Sequence, residues 1–256
     1  MKKTIHTGLL ILSLAITLAA TGTRVDLRND FLNSGFNARV IGLGNTGIIS
    51  AEGPESAYFN PAILVKENIN PILLSYNPYN FDQSYIYGFY KLPYKYRDTT
   101  FGIGVIMDVI GNIEYRTDKT DSPTITSITQ QCFTVGLARR VEKNINVGFN
   151  LNFVLDNYST EKSSLFYSLG YYSTAFTPYD LSLVMRYYNS DEYALSLGAK
   201  IPLPMDLTTY IVSDIFLSGT YNSVLMKYGV NYQLDPSIAL QAGLNGDNLS
   251  LGLSFL

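Results

Sequence analysis

Histidine and cysteine, the side chains best suited to proton transfer, nucleophilic attack and zinc binding near neutral pH, occur once each in this chain, at His6 and Cys132. A Cys/His zinc site or a disulfide framework needs several such residues at set spacings, and neither can be built. His6 moreover lies in a stretch that reads as an export signal. Lys2 and Lys3 precede the apolar run GLLILSLAITLAA from Gly8 to Ala20, and Ala20-Thr21-Gly22 supplies the small residues a signal peptidase cleaves. The run falls short of the ~20 apolar residues a spanning helix needs, so residues 1–22 read as a cleaved signal rather than an anchor. No cysteine follows the run, so an N-terminal lipid is not expected. Cleavage leaves a mature chain without histidine. Ser-His-Asp and Cys-His catalysis then lack their proton shuttle. Carboxylate-only chemistry would fall to residues such as Asp118, Asp121, Asp191 and Asp247, whose setting is that of solvated turns. The expectation is a protein with no enzymatic activity, no metal and no cofactor.

The elements that must carry such a chain follow from composition and period. With 46% hydrophobic and 15% charged residues, the 256-residue chain is too apolar to stay disordered, and its formal net charge of -3 argues against a nucleic-acid partner. Tyr 21 and Phe 13 with Trp 0 is an aromatic load that favours strands. Beyond about residue 70 the dominant period is two. In 146–156, Val147, Phe149, Leu151, Phe153 and Leu155 alternate with Asn146, Gly148, Asn150, Asn152, Val154 and Asp156. The same split recurs in 101–109, 179–187 and 193–201. A soluble sandwich also alternates, but its outer face is usually rich in Lys, Glu and Thr. Here the polar face is Gly, Asn and Ser, which suits an enclosed lumen under an apolar, aromatic-flanked exterior.

The fold expected is therefore all-β: a transmembrane antiparallel β-barrel of about twelve strands, ten to fourteen being the range, over residues 69–256. Candidate strands are 70–77, 82–92, 99–109, 129–139, 145–155, 163–172, 179–187, 192–201, 207–217, 223–233, 236–244 and 248–255. An even count lets a closed barrel begin and end on the periplasmic side, and closure matters because an open edge in lipid leaves backbone groups unpaired. The polar connection 116–128 is the expected external loop. Inward positions are assigned to Ile86, Tyr90, Phe166, Tyr210, Val212, Phe216 and Leu225 as a candidate apolar lumen, with Asp108, Asp156, Arg186, Lys200, Asp214 and Lys227 as lumen charges. These apolar residues either line a ligand pocket or pack against a plug. Cys132 also falls on the inward face, as a small packing residue. The last strand alternates to the end of the sequence through Leu249, Leu251, Leu253 and Phe255, with Leu256 after it. It resembles the C-terminal insertion signal of outer-membrane barrels, which implies the barrel-assembly machinery as a partner.

Residues 23–68 behave differently, with little alternation and many glycines. As a phosphate cradle the glycine series is poor, because no strand precedes it in a βαβ unit and no Lys-Ser/Thr follows. Close packing of backbone inside something narrow is the better use. Gly35, Ala38-Arg39 and Gly42-Leu43-Gly44, followed by Ser56-Ala57-Tyr58-Phe59-Asn60-Pro61-Ala62, resemble the N-terminal signature of the FadL-like outer-membrane proteins, in particular the PorV/PorQ-type branch. Phe101-Gly-Ile-Gly-Val105 and Gly111-Asn-Ile-Glu-Tyr115 are similar to that branch too. The resemblance implies that 23–68 folds into the barrel as a hatch, with Gly35, Ala38, Arg39, Gly42, Gly44, Asn60, Pro61 and Ala62 as its motif. Members commonly have fourteen strands and longer chains, so this barrel would be narrow.

Three roles follow. The resemblance implies passage or binding of hydrophobic small molecules across the outer membrane, with lipid and an apolar ligand as partners. The alternative it implies, ranked second, is a PorV-like secretion or surface-assembly component that binds a secreted protein client. A diffusion porin would need an open lumen ringed with charge, and the lumen charges here are few and scattered.

Overall fold

A computed structural model describes residues 36–67, 70–78, 82–96, 98–115, 124–156, 163–189, 192–218 and 222–255. The expected signal over 1–22, residues 23–35 with Gly35, and the 116–123 part of the expected external loop lie outside the described residues. The period-two stretches form twelve strands: β1 (Ile72–Pro78), β2 (Gln83–Tyr96), β3 (Thr99–Tyr115), β4 (Thr124–Glu142), β5 (Ile145–Asp156), β6 (Ser163–Phe176), β7 (Tyr179–Asn189), β8 (Glu192–Leu203), β9 (Leu207–Ser218), β10 (Asn222–Asp235), β11 (Ile238–Asn245) and β12 (Asn248–Phe255). They make one antiparallel sheet in chain order. β3 and β4 run past the expected ends at 109 and 129 because a register shift between Ile110 and Ile113 lets their ladder continue to the Tyr115–Thr124 pair. Residues 124–128 are thus strand rather than loop.

The two faces separate as the alternation requires. On β5, Val147, Phe149, Leu151, Phe153 and Leu155 are 36–41% exposed on the outside, while Asn150, Asn152 and Val154 are buried inside. β2 departs from expectation. Tyr85, Tyr87 and Phe89 point inward and are buried, whereas Ile86 and Tyr90 are 41% and 37% exposed on the outer wall. The assignment of Ile86 and Tyr90 to the lumen is therefore corrected. Both faces of this strand are apolar, so hydrophobicity alone could not set its parity; the inner aromatics are there to pack on Phe36, whose ring lies 5.2 Å from that of Tyr87 and 5.6 Å from that of Phe89.

Residues 36–66 lie against the inner face and touch the sheet all round. Phe36 meets β1 and β2, Ala57 meets β3 and β4, Pro61-Ala62 meets β5, and Asn60 meets β6. Phe59 meets β7, Ile48 and Ile49 meet β8, and Ile48 and Ile49 share a buried cluster with Tyr210 and Val212 of β9. Leu43, Gly44 and Gly42 meet β10, β11 and β12. One short segment can touch one face of twelve successive strands only if the sheet curls around it, which is a barrel. Glycines make the room. A Cβ on Gly148 would strike the Pro61-Ala62 backbone, one on Gly243 would strike that of Gly44, and one on Gly229 would stand 2.6 Å from the Leu43 carbonyl oxygen. Gly102 and Gly136, paired in register, would both meet Ala57 Cβ at 3.1 Å.

This collar predicts that Gly243→Val lowers stability by about 3 kcal/mol, an overpacking cost at the upper end of the usual range. Gly111→Ala, whose Cβ would find its nearest neighbour at 3.7 Å, should stay within about 0.5 kcal/mol of the parent. The check is the urea midpoint of the refolded barrel in detergent micelles.

Candidate functional site

The inner segment contains three helical turns, α1 (Ala38–Gly42), α2 (Gly47–Ser50) and α3 (Ser56–Phe59), and a 3-10 turn at Pro61–Val65. None exceeds five residues, so most of their backbone groups find no partner within the helix. Side chains supply the partners. Asn37 Oδ1 accepts from the Arg39 and Val40 amides at 2.9 and 3.2 Å, capping α1. Asn60 Oδ1 accepts from the Ala62 amide at 3.1 Å, and Pro61 at the first position of the turn gives up no donor. Asn60 Nδ2 donates to the carbonyls of Ile48 at 3.0 Å and Tyr171 at 3.2 Å, joining α2, the 3-10 turn and β6 through one amide.

The barrel wall completes this accounting. Asn150 Nδ2 donates to the Ala57 and Tyr58 carbonyls at 2.8 and 3.0 Å. Asn152 Nδ2 donates to Asn150 Oδ1 at 2.9 Å, and Thr134 Oγ1 donates to Asn152 Oδ1 at 2.7 Å. Asn77 Nδ2 reaches the Phe36 carbonyl at 2.7 Å, and Lys91 Nζ reaches the Lys66 carbonyl at 2.6 Å. The small polar face of the strands is thus a set of donors aimed at carbonyls that water cannot reach.

Charge is held on the segment as well. Arg39 pairs with Glu52 at 2.9 Å, and Lys66 Nζ sits 4.3 Å over the Tyr172 ring, whose hydroxyl donates to Asp180 at 2.6 Å. Glu55 is buried. Desolvation pushes its carboxyl above the ordinary carboxylate value, against the opposing hydrogen bonds from its own and neighbouring amides. Burial likewise raises the Tyr58 hydroxyl well above the usual phenol value and, with Lys200 nearby, lowers the Lys66 ammonium.

Beyond the segment, β6 to β10 present a strip of mixed character. Lys227 Nζ pairs with Asp214 Oδ2 at 2.6 Å, both nearly buried. Arg186 Nη2 donates to the Phe59 carbonyl at 3.1 Å, with its guanidinium 5.7 Å from the Tyr58 ring centre. Arg186 Nε and Ser168 Oγ, at paired positions on β7 and β6, have no hydrogen-bond partner among the described residues. With Ile86 and Tyr90 on the outer wall, the other five apolar residues read from the sequence divide between two settings. Phe166, Tyr210 and Val212 are buried against the segment, Phe166 with its ring 6.5 Å from that of Tyr58, Tyr210 and Val212 among Ile48, Ile49 and Ile63. Phe216 and Leu225 stand on the inner face beside Asp214, Leu225 directly across the ladder from it. Ala38 is exposed, Arg39 is paired, and Gly42, Gly44, Asn60, Pro61 and Ala62 all lie against the wall. Cys132 is buried and inward, 4.0 Å from Thr134 Oγ1. The sequence reading missed Asn77, Asn150 and Phe36 as anchors. Asn150 carried a signal, an amide two residues from Gly148 and two from Asn152 on one face.

No protein-family model matches the chain, and no curated protein sequence matches it. Among solved structures, the toluene transporter TodX of Pseudomonas putida is similar, with TM-score 0.56 and 12% identity over 82% of this chain and 82% of that one. Outer membrane phospholipase A of Escherichia coli aligns with TM-score 0.44 and 9% identity over 77% of this chain and 98% of that one. The TodX likeness establishes the fold, an outer-membrane type of β-barrel.

Two outcomes follow. Asn150→Ala strands two buried carbonyls and should cost about 1–3 kcal/mol, measured as a lower urea midpoint. Glu55 binds a proton more tightly when docked than when released, so docking gains strength as pH falls through the raised docked value. The gain is complete below the ordinary carboxylate value and is lost again as pH rises. Amide exchange of residues 47–59 should therefore slow from pH 8 to pH 5 after correction for intrinsic rates, and Glu55→Gln should remove that difference.

Proposed function

We propose that this protein is an outer-membrane β-barrel of FadL type that binds apolar small molecules and passes them across the outer membrane. In this reading it is exported under the 1–22 signal, folded by the barrel-assembly machinery, and carries its segment around Gly42, Gly44 and Asn60-Pro61-Ala62 as a hatch. It performs no catalysis, since a mature chain without histidine lacks the usual proton shuttle. The observation that supports the reading best is the strip beside the hatch. Phe216 and Leu225 stand beside the Asp214–Lys227 pair on β9 and β10, with Arg186 on β7 and Phe166 on β6 further round the inner face. Apolar walls with a few fixed polar groups are what holds a hydrophobic molecule in one orientation. A diffusion porin would instead leave its charges facing an open, watery lumen, whereas Arg186, Asp214 and Lys227 are engaged within the protein. TodX, the similar barrel, is a toluene transporter, which makes an aromatic hydrocarbon the first ligand to try.

The chain has no tryptophan, so Phe216→Trp places a single reporter at the strip. Titration with toluene should change its emission saturably, and adding Leu225→Asp should weaken the apparent affinity at least about tenfold, as expected when a charge replaces a pocket contact. An emission unaffected by toluene and by longer apolar compounds would reject the ligand-binding role. A large steady single-channel current at low voltage would reject the hatch.

A further inference from the structure

Ser168 Oγ on β6, Arg186 Nε on β7, Ser196 Oγ on β8 and Asp214 Oδ1 on β9 are buried and have no hydrogen-bond partner among the described residues. They stand on four consecutive strands. Ser168 is directly across the ladder from Arg186, Arg186 from Ala194, and Ser196 from Asp214. The Arg186 and Asp214 charges interact across β8, whose Ala194 and Ser196 make a floor of small side chains between two longer arms. Each arm is held elsewhere. Arg186 Nη2 is fixed on the Phe59 carbonyl and Asp214 Oδ2 on Lys227, so the remaining atom of each is set in place by a group that does not satisfy it.

An unmet buried donor or acceptor costs stability, and native interiors retain few. Four in one stretch of wall, beside the face where Tyr58 and Phe59 meet Phe166 and Arg186, favour a separation there that lets in a partner from outside the chain. Their chemistry narrows that partner. Arg186 Nε can only donate, an ionised Asp214 Oδ1 can only accept, and the serine hydroxyls do either. A hydrocarbon meets none of them. A carboxylate would meet Arg186 and set its own negative charge beside Asp214. A neutral hydroxyl meets both at once. Apolar wall for the rest of the molecule is at hand, since the Phe166 and Tyr188 rings lie 5.2 Å apart and Phe216 is across the ladder from Ala194.

We propose that the ligand of the strip is a phenol, its oxygen accepting from Arg186 Nε and its proton donated to Asp214 Oδ1, with the Ser168 and Ser196 hydroxyls completing the shell. This rests on the ligand-binding role proposed above and narrows it to aromatic molecules that carry a hydroxyl. Isothermal titration calorimetry of the barrel in lipid nanodiscs, blanked with empty nanodiscs, tests it with toluene, p-cresol and p-toluate. These share one ring and methyl group; p-cresol adds a hydroxyl that is neutral at pH 7, and p-toluate adds an ionised carboxylate. p-Cresol should bind at least about tenfold more tightly than toluene, because an analogue lacking the hydroxyl leaves the site's polar groups unpaired. p-Toluate should bind more weakly than p-cresol. Replacing both serines, Ser168→Ala with Ser196→Ala, should shrink the p-cresol advantage to within about threefold and leave the urea midpoint unchanged or higher, since a hydroxyl without a partner contributes nothing to the fold. Equal affinity for p-cresol and toluene overturns the inference while the apolar-ligand reading stands. Tightest binding by p-toluate overturns it too, as does a lower urea midpoint in the serine variant, which would show those hydroxyls engaged within the protein. If none of the three compounds binds, the ligand-binding reading falls together with the inference.

Discussion

A folded stretch of chain fits inside a barrel of twelve strands only where the wall gives up its side chains. Gly102, Gly136, Gly148, Gly229 and Gly243 do this on five strands; at the last four the segment's backbone lies against the wall's backbone, and at Gly102 the Ala57 and Leu64 side chains fill the space. Everything else about the interior follows from that contact. Backbone brought so close to backbone excludes water, and excluded water leaves the carbonyls of very short helices without partners. Asn60, Asn150 and Lys91 meet such carbonyls, Asn150 two residues from Gly148 and Lys91 across the ladder from Gly102, and Asn77 holds the Phe36 carbonyl ahead of α1. Removing either half of the arrangement defeats the other: bulk on the wall expels the segment, and loss of an amide leaves its carbonyls buried and unmet.

Arg186 joins this frame to the strip beyond it. One of its nitrogens holds the Phe59 carbonyl, and its guanidinium lies near the Tyr58 ring. Its Nε and the facing Ser168 hydroxyl are left over. A buried guanidinium is tolerable only while its donors are met, so the strip's polar character depends on the segment staying docked. Asp214 and Lys227 are different, because they pair with each other across the β9–β10 ladder and would persist without it. The strip thus has one charge pair built into the wall and one cation shared with the segment.

The strands were legible because a two-residue period needs no knowledge of neighbours. Twelve of them, in meander order, could be read from alternation and turns. Parity was legible where one face was polar, as on β5, and failed on β2, where Tyr85, Tyr87 and Phe89 are as apolar as Ile86 and Tyr90. Which face turns in there is decided by Phe36, remote in sequence. The same limit hid the collar. Gly102 and Gly148 were visible as small residues on a polar face, but their meeting with one segment depends on register, which hydrogen bonding between strands fixes and composition does not. The inner helices were illegible for a further reason: turns of four or five residues show no 3.6-residue stripe, and they hold their shape through caps supplied by the barrel. Asn60-Pro61-Ala62 stood out because a cap, a fixed φ and two long-range donors are concentrated in three residues.

The number of strands that touch the segment also limits how the interior can open. A segment held on one side can swing away as a unit, breaking one patch while the rest is undisturbed. This one is held from β1 round to β12, so moving it whole would break every patch together. Separation at a single face is far easier, and the face toward Phe166 and Arg186 has no backbone packed on backbone: two rings 6.5 Å apart, a guanidinium 5.7 Å from the Tyr58 ring centre and one hydrogen bond of 3.1 Å join it to Tyr58 and Phe59. A gap made there would be lined by the Tyr58, Phe59 and Phe166 rings and by the Arg186 guanidinium.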